Sequence, residues 1–346
     1  MGVFVVLPLV LPLTAWPMSR LAERRLHPRT ATVLLTGVGV ILAVCSTLCL
    51  VLLVVVGTAQ VPGNPLPDGW ADPEVRAAVP YDENVGFAAI GVLALVSAAC
   101  GRTLWRHYRV RNGAWRALAE LPSAPRPAPA ASAPPTASGP RAGSGTLAGT
   151  DTLVGAGGPA LTVLPDEVPY AYALPDRSGS GRVVVSDAML AGLGASERRA
   201  LVAHERAHLA GRHHRYLLGS RLAASANPFL RPLWTAVAFS AERWADEEAA
   251  REVGDRRVVA TAVGKAALIA GPAPAPGIAA FAAAGPVPRR IAALLGPVPS
   301  PRLWPPADGS LYAAALIAAA GTAASALSSL NAAVALFVVL KAATAL

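Results

Sequence analysis

His204-Glu205-Arg206-Ala207-His208 is the stretch whose reading decides what kind of molecule this chain makes. On a helix, positions i and i+4 share a face, so the two imidazoles converge on one point while Glu205 stands at the edge of that face. Two imidazoles so placed suit zinc, which takes imidazole nitrogen at about 2.0–2.1 Å and keeps one position open in hydrolytic sites. Glu205 can then reach water at the ion without being a ligand. The preceding run, Ser196 to Ala203, predicts a helix with Ser196 as its N-cap, leading straight into the histidines. Leu201, Val202 and Leu209 supply an apolar side for a core. A solvated helix with incidental histidines is the bland alternative. It does not explain why four of the chain's six histidines (His204, His208, His213, His214) fall between positions 204 and 214.

A catalytic zinc site needs a third protein ligand, and two candidates compete. His204 to His214 also reads H-E-x-x-H-x-x-G-x-x-H, with Gly211 in place, which is the metzincin string. That class needs a methionine turn downstream, and the only methionines are Met1, Met18 and Met189. The rival is Glu242-Arg-Trp-Ala-Asp246 on a second expected helix, whose carboxylates are again i and i+4. Glu242 can bind the ion while Asp246 orients a zinc histidine through its distal nitrogen. The weight falls on Glu242, because H-E-x-x-H with a downstream glutamate is a known catalytic set. On that reading His213 and His214 are basic-face residues beside Arg212 and Arg215. The bland reading of Glu242 and Asp246 is surface charge in the acidic stretch Asp246-Glu247-Glu248.

The composition places this chemistry at a membrane. Of 346 residues, 53% are hydrophobic and 15% charged, which is not the balance of an ordinary soluble enzyme. Residues 31–57 and 311–340 are long apolar runs, 85–101 is a shorter one, and 3–16 is short and broken by Pro8 and Pro12. The last could be a signal peptide, but no basic residue precedes it and no small-x-small site follows, so four spans are expected. Arginines crowd positions 20–29 and 102–116, whereas residues 58–84 carry five acidic residues against Arg76. The positive-inside rule then puts the amino terminus outside and the metal-site region in the cytoplasm, with the last span returning the tail to the exterior. The net charge of +9 follows from these juxtamembrane arginines. It fits attraction to anionic lipid better than nucleic-acid binding, since no recognisable nucleic-acid module accompanies it. Cys45, Cys49 and Cys100 all lie in apolar runs and exclude a disulfide framework.

Four regions follow: a membrane region over 1–120, a Pro/Ala/Gly-rich linker over 121–150, a metal-site domain over 151–305, and a C-terminal span over 306–346. The domain opens with β-like runs at 161–164, 170–174 and 182–186. Tyr170, Ala171 and Tyr172 are candidate substrate contacts, because an extended peptide can pair with a strand just ahead of a zinc helix. Ordinary sheet packing explains them equally well. Residues 216–241 are apolar but broken by Arg221, Pro228, Arg231 and Pro232, and are expected as helices lying against the membrane face. Residues 258–295 read as Ala-rich, helical in pieces and chemically silent.

Pro169-Tyr-Ala-Tyr-Ala-Leu-Pro175, Arg182-Val-Val-Val-Ser186, Ala203-His-Glu-Arg-Ala-His-Leu209 and Glu242-Arg-Trp-Ala-Asp246 together resemble the BlaR/MecR-type membrane metallopeptidases. More distantly they are similar to the HtpX and CAAX prenyl protease group. The resemblance covers about half the chain, most specifically residues 150–255. It implies a mainly α, multi-span membrane protein with a cytoplasmic α+β, gluzincin-like domain. It further implies a zinc endopeptidase with His204, His208 and Glu242 as ligands, Glu205 as general base and Asp246 behind them. The expected partners are a protein substrate and the lipid bilayer, with no nucleic acid. Because the sequence runs only to Leu346, the external penicillin-binding domain of the β-lactam sensors is not expected, nor is antibiotic sensing. The transmembrane hairpin that the HtpX group places between H-E-x-x-H and the glutamate has no room here. The competing reading is a membrane signalling scaffold whose zinc site is structural or vestigial. Glu205 argues against it, because a structural site needs no base.

Overall fold

Residues 31–59 contain no charged side chain, and they lie within one continuous helix of the computed structural model, which describes residues 8, 10–59, 83–120, 159–176, 181–270, 286–299 and 309–344. A 3₁₀ turn (Leu11–Thr14) runs into α1 (Ala15–Arg25), followed by α2 (Pro28–Ala59) and α3 (Glu83–Ala119). Next come β1 (Ala160–Leu164), β2 (Ala171–Leu174), β3 (Arg182–Ser186) and the short α4 (Asp187–Ala191). The helices α5 (Ala195–Ala210), α6 (His213–Ala226), α7 (Arg231–Val253), α8 (Arg256–Ala270), α9 (Val287–Leu295) and α10 (Gly309–Thr344) complete the described chain. The described residues are thus mainly helical, with one small sheet.

Among the described residues, three helices are long and apolar enough to cross a membrane, over Pro28–Val55, Phe87–Ala119 and Leu316–Ala342. In the first of these, several hydroxyls bond back to carbonyls one turn earlier, as an apolar setting favours. Thr32 donates to the Pro28 carbonyl (2.8 Å), Thr36 to that of Thr32 (2.7 Å) and Ser46 to that of Leu42 (2.7 Å). The expected span at 3–16 is described only at residue 8 and from residue 10, where the turn and the start of α1 lead on to Arg20, Arg24 and Arg25. The expected linker at 121–150 and most of the acidic loop at 58–84 lie outside the described residues. Whereas the apolar run of α3 ends near Gly101, its helix continues to Ala119, because arginine and alanine are good helix formers and nothing there breaks the pattern.

The sheet has the order β1-β3-β2, with β3 parallel to β1 and antiparallel to β2. Central β3 is buried on both faces, which explains three successive valines. Val183 and Val185 face Met189, Leu190 and Leu209, while Val184 joins Tyr170, Tyr172 and Leu174. On that second side the end of α3 closes the sheet, with Trp115 and Leu118 packed against the tyrosines and Trp115 Nε1 donating to the Pro175 carbonyl at 3.2 Å.

The segment expected to lie on the membrane face instead packs along α2. The α6–α7 pair is a hairpin whose Leu230, Leu233, Ala236 and Val237 share a core with Leu35 and Leu42. Its tip is tied down by Asn227, which donates to Ser46 Oγ at 3.1 Å and accepts from the Phe229 amide at 3.1 Å. Ser46 lies about 27 Å along α2 from Pro28, at 1.5 Å per residue. The apolar character of residues 216–241 thus answers to a helix of this same chain. Gly254, with φ of 81°, then stops α7 in a conformation that disfavours any side chain.

Candidate metal centre

Two helices bring the site together. The helix α5 begins at Ala195 rather than after Ser196, and its N-cap is Gly194, whose amide donates to Glu197 Oε2 at 2.8 Å. Lys265 holds the other side of that carboxylate at 2.7 Å. From this anchored start α5 turns His204, Glu205 and His208 inward, all buried. Across from it, α7 presents Glu242 and Asp246 one turn apart, and both are buried as well.

Donor atoms of His204, His208 and Glu242 lie within 4.8 Å of one another and could hold a metal ion. The two Nε2 atoms are 3.1 Å apart, and Glu242 places Oε2 3.4 Å from His204 Nε2 and Oε1 3.3 Å from His208 Nε2. Ligands on a tetrahedron around zinc, with bonds of about 2.0–2.1 Å, are separated by about 3.3–3.4 Å, so the donor set fits that ion closely. Formal charge agrees. With both imidazoles neutral, as metal ligands must be, Glu205, Glu242 and Asp246 against Arg290 leave −2, which a divalent cation cancels. Behind the triad, His204 Nδ1 lies 3.1 Å from Asp246 Oδ1, a contact that fixes ring orientation. Burial opposes charge on these groups, yet their mutual pairing wins. Asp246 and Glu242 raise the His204 pKa to about 10, and Arg290 holds both carboxyls below the usual carboxylate range.

Two residues at this centre escaped the sequence reading. His213 does not join a basic face; it is fully buried, with Nδ1 2.8 Å from His208 Nδ1 and its ring 4.4 Å from that of Trp244. Arg212, with φ of 51°, turns the chain so that α6 starts against α5. Gly211, which counted toward the metzincin string, has a packing reason, since a Cβ there would collide with His213 Nε2. Burial and the neighbouring His208 push the His213 pKa well below its ordinary value, which keeps the ring neutral and able to accept a hydrogen bond. Arg290 comes from α9, in the stretch read as silent. Its Nη1 lies 2.9 Å from Glu242 Oε2, while Nε and Nη2 form a fork on Asp246 at 2.9 and 2.6 Å. The one signal for it was a pair of carboxylates that, once buried, required a cation.

His214 is not part of the converging donor set. It lines a cavity of about 80 Å³ with Glu205, His208, Leu217, Tyr172 and Ala173, beneath Val110 and Arg111 of α3. Burial and surrounding arginines lower its pKa to about 4. Of the three candidate substrate contacts, Tyr170 and Tyr172 are buried under α3, and Ala171 packs on the opposite face of the sheet. The strand β2, which begins at Ala171, is nonetheless an edge of the sheet and packs beside α5.

The family model described as Peptidase family M48 matches residues 154–224. That segment takes in the sheet, α5 with both histidines and Glu205, and most of α6, and it ends before Glu242 and Asp246. No curated protein and no solved structure matches the chain. Over residues 154–224, then, the chain is similar to Peptidase family M48, and that segment supplies two of the three buried donors, His204 and His208.

Proposed function

We propose that the protein is a multi-span membrane zinc endopeptidase that hydrolyses peptide bonds of a protein substrate at the cytoplasmic membrane face. The observation that carries the proposal is Glu205, a buried carboxylate one residue from His204 that lines the same small cavity as His208 and the edge strand β2. A zinc site with a structural role alone has no use for that carboxylate, which weighs against the signalling-scaffold reading. The BlaR/MecR-like and HtpX-like features noted in the sequence are compatible with the M48 segment.

In this mechanism His204, His208 and Glu242 would hold the ion, and Asp246 and His213 keep the two imidazoles aligned from behind. When bound, zinc supplies Lewis acidity toward the scissile carbonyl and makes water more acidic. Glu205 accepts a proton from the attacking water and passes it to the departing amine. The backbone of β2 pairs with the substrate in extended form, with Tyr170, Ala171 and Tyr172 setting the position of that edge. Orientation rests on the arginines at 20–29 and 102–116, which favour the cytoplasmic side. The deciding experiment compares Glu205→Gln with the parent in detergent, measuring zinc content and cleavage of an unfolded test protein. The variant should keep its zinc and lose about 10²–10⁴-fold in rate. Equal cleavage by both proteins would remove the enzyme reading.

A further inference from the structure

Beside Trp244 lies a bowl of about 970 Å³ whose walls carry Arg29, Arg206, Arg212, Arg215 and Arg251 against Glu248 and Glu252. Both carboxylates are engaged. Glu248 accepts from Arg251 at 2.6 Å and from the Trp244 indole at 3.0 Å, and Glu252 lies 3.5 Å from Arg206. Arg29, Arg212 and Arg215 have no carboxylate partner among the described residues. Arg29 stands over the Trp244 ring at 5.4 Å and immediately precedes Thr30, where the uncharged run of α2 begins. Arg212 is also the one non-glycine residue with positive φ among the described residues. Such backbone strain persists where the surrounding structure requires it, and it is enriched at functional sites.

We propose that this bowl binds a phosphate group, presented either by an anionic lipid headgroup or by a soluble phosphate compound. Guanidinium groups meet phosphate oxygens as planar forks, and several converging in a concave wall select phosphate over a single point of charge. The position of Arg29 at the start of a membrane-crossing helix puts the bowl within reach of headgroups, where basic side chains gain most from anionic lipid. The neighbouring carboxylates, already paired, leave the excess positive charge to the three remaining arginines.

The test uses the full chain in phosphatidylcholine nanodiscs and reads the emission of Trp244, isolated as the difference from Trp244→Phe. One arm titrates inorganic phosphate and pyrophosphate; the other adds phosphatidylglycerol to the bilayer. A saturable change is expected in at least one arm. A response to phosphatidylglycerol alone assigns the headgroup, and a response to phosphate alone assigns a soluble ligand. The double variant Arg212→Gln/Arg215→Gln should weaken that response by about 10–100-fold. Its zinc content and unfolding midpoint are measured alongside to show that the fold persists. Arg109→Gln, a basic position outside the bowl, should leave the response unchanged. The proposal is overturned if neither arm saturates, if Arg109→Gln weakens binding as much as the double variant, or if polyglutamate displaces the ligand. Because the readout is binding, its failure is distinct from any failure of the peptidase reading.

Discussion

His213 Nδ1 stands 2.8 Å from His208 Nδ1, so one imidazole of the proposed ligand set is held from behind by a second imidazole, whereas His204 is held by the Asp246 carboxylate. When His208 binds a metal through Nε2, its Nδ1–H is the donor and the neutral His213 ring the acceptor. The two histidines of one H-E-x-x-H motif are thereby oriented by different chemistry, one anionic and one neutral.

His213→Phe keeps a flat ring beside Trp244 but removes the acceptor. It should lower zinc affinity about 10–100-fold, the usual scale for groups that orient metal ligands. His213→Gln, which restores an acceptor oxygen, should recover part of the loss. Gly211→Ala should act in the same direction as His213→Phe by driving a methyl group into the ring. Competition against a chelator of known affinity measures all three. Wild-type affinity in His213→Phe would show that the 2.8 Å contact has no bearing on metal binding.

The third ligand can be separated from its rival by two substitutions. Glu242→Ala removes the only carboxylate among the converging donors and should abolish both stoichiometric zinc and cleavage. His214→Ala, on the cavity wall, should keep zinc near the wild-type level. Zinc content of the purified variants decides. Retention in Glu242→Ala with loss in His214→Ala would reverse the assignment.

How far the sequence foretold this centre depends on the range of the forces involved. The convergence of His204 with His208, and of Glu242 with Asp246, is a property of helical pitch and was readable from spacing alone. The three strands were foreseen within a residue at each end, since β-branched and aromatic runs bounded by turn residues are local signals. His213 was misread because its burial depends on the left-handed turn at Arg212, which folds α6 back on α5. Arg290 is 44 positions from Asp246, so no local pattern links them. The end of α3 was missed for another reason. Arginines mark where a chain leaves the bilayer, and a helix continues through them without penalty. The packing of the α6–α7 hairpin on α2 is likewise tertiary, as the apolar residues around Pro228 do not say what covers them.

Arg290 makes a prediction about stability. It neutralises two carboxylates that have almost no exposure, Glu242 at 4% and Asp246 at 0%. Arg290→Leu should leave an uncompensated buried charge and lower stability by about 3–5 kcal/mol. Arg290→Lys, with one ammonium in place of a fork on two carboxylates, should recover only part. Denaturant unfolding of the chelator-treated protein in detergent provides the comparison. An unchanged midpoint in Arg290→Leu would mean that the two carboxylates are satisfied without it.

Orientation in the membrane gives the last prediction. If the arginine-rich segments face the cytoplasm, α2 runs outward, α3 returns inward and α10 runs outward again. Ala195, exposed at the start of α5, should then be cytoplasmic, and Ala342, exposed near the end of α10, should reach the exterior. Single cysteines at these positions, in a background without Cys45, Cys49 and Cys100, can be challenged with an impermeant thiol reagent on intact cells. Ala342→Cys should label directly, and Ala195→Cys only after the membrane is permeabilised. The parallel course of α2 and α10 supports this pairing, since Cys49 meets Ser329 while Leu52 and Val55, further along α2, cluster with Leu336 and Leu340, further along α10. Labelling of Ala195→Cys in intact cells would place the metal centre outside and exclude a cytoplasmic substrate.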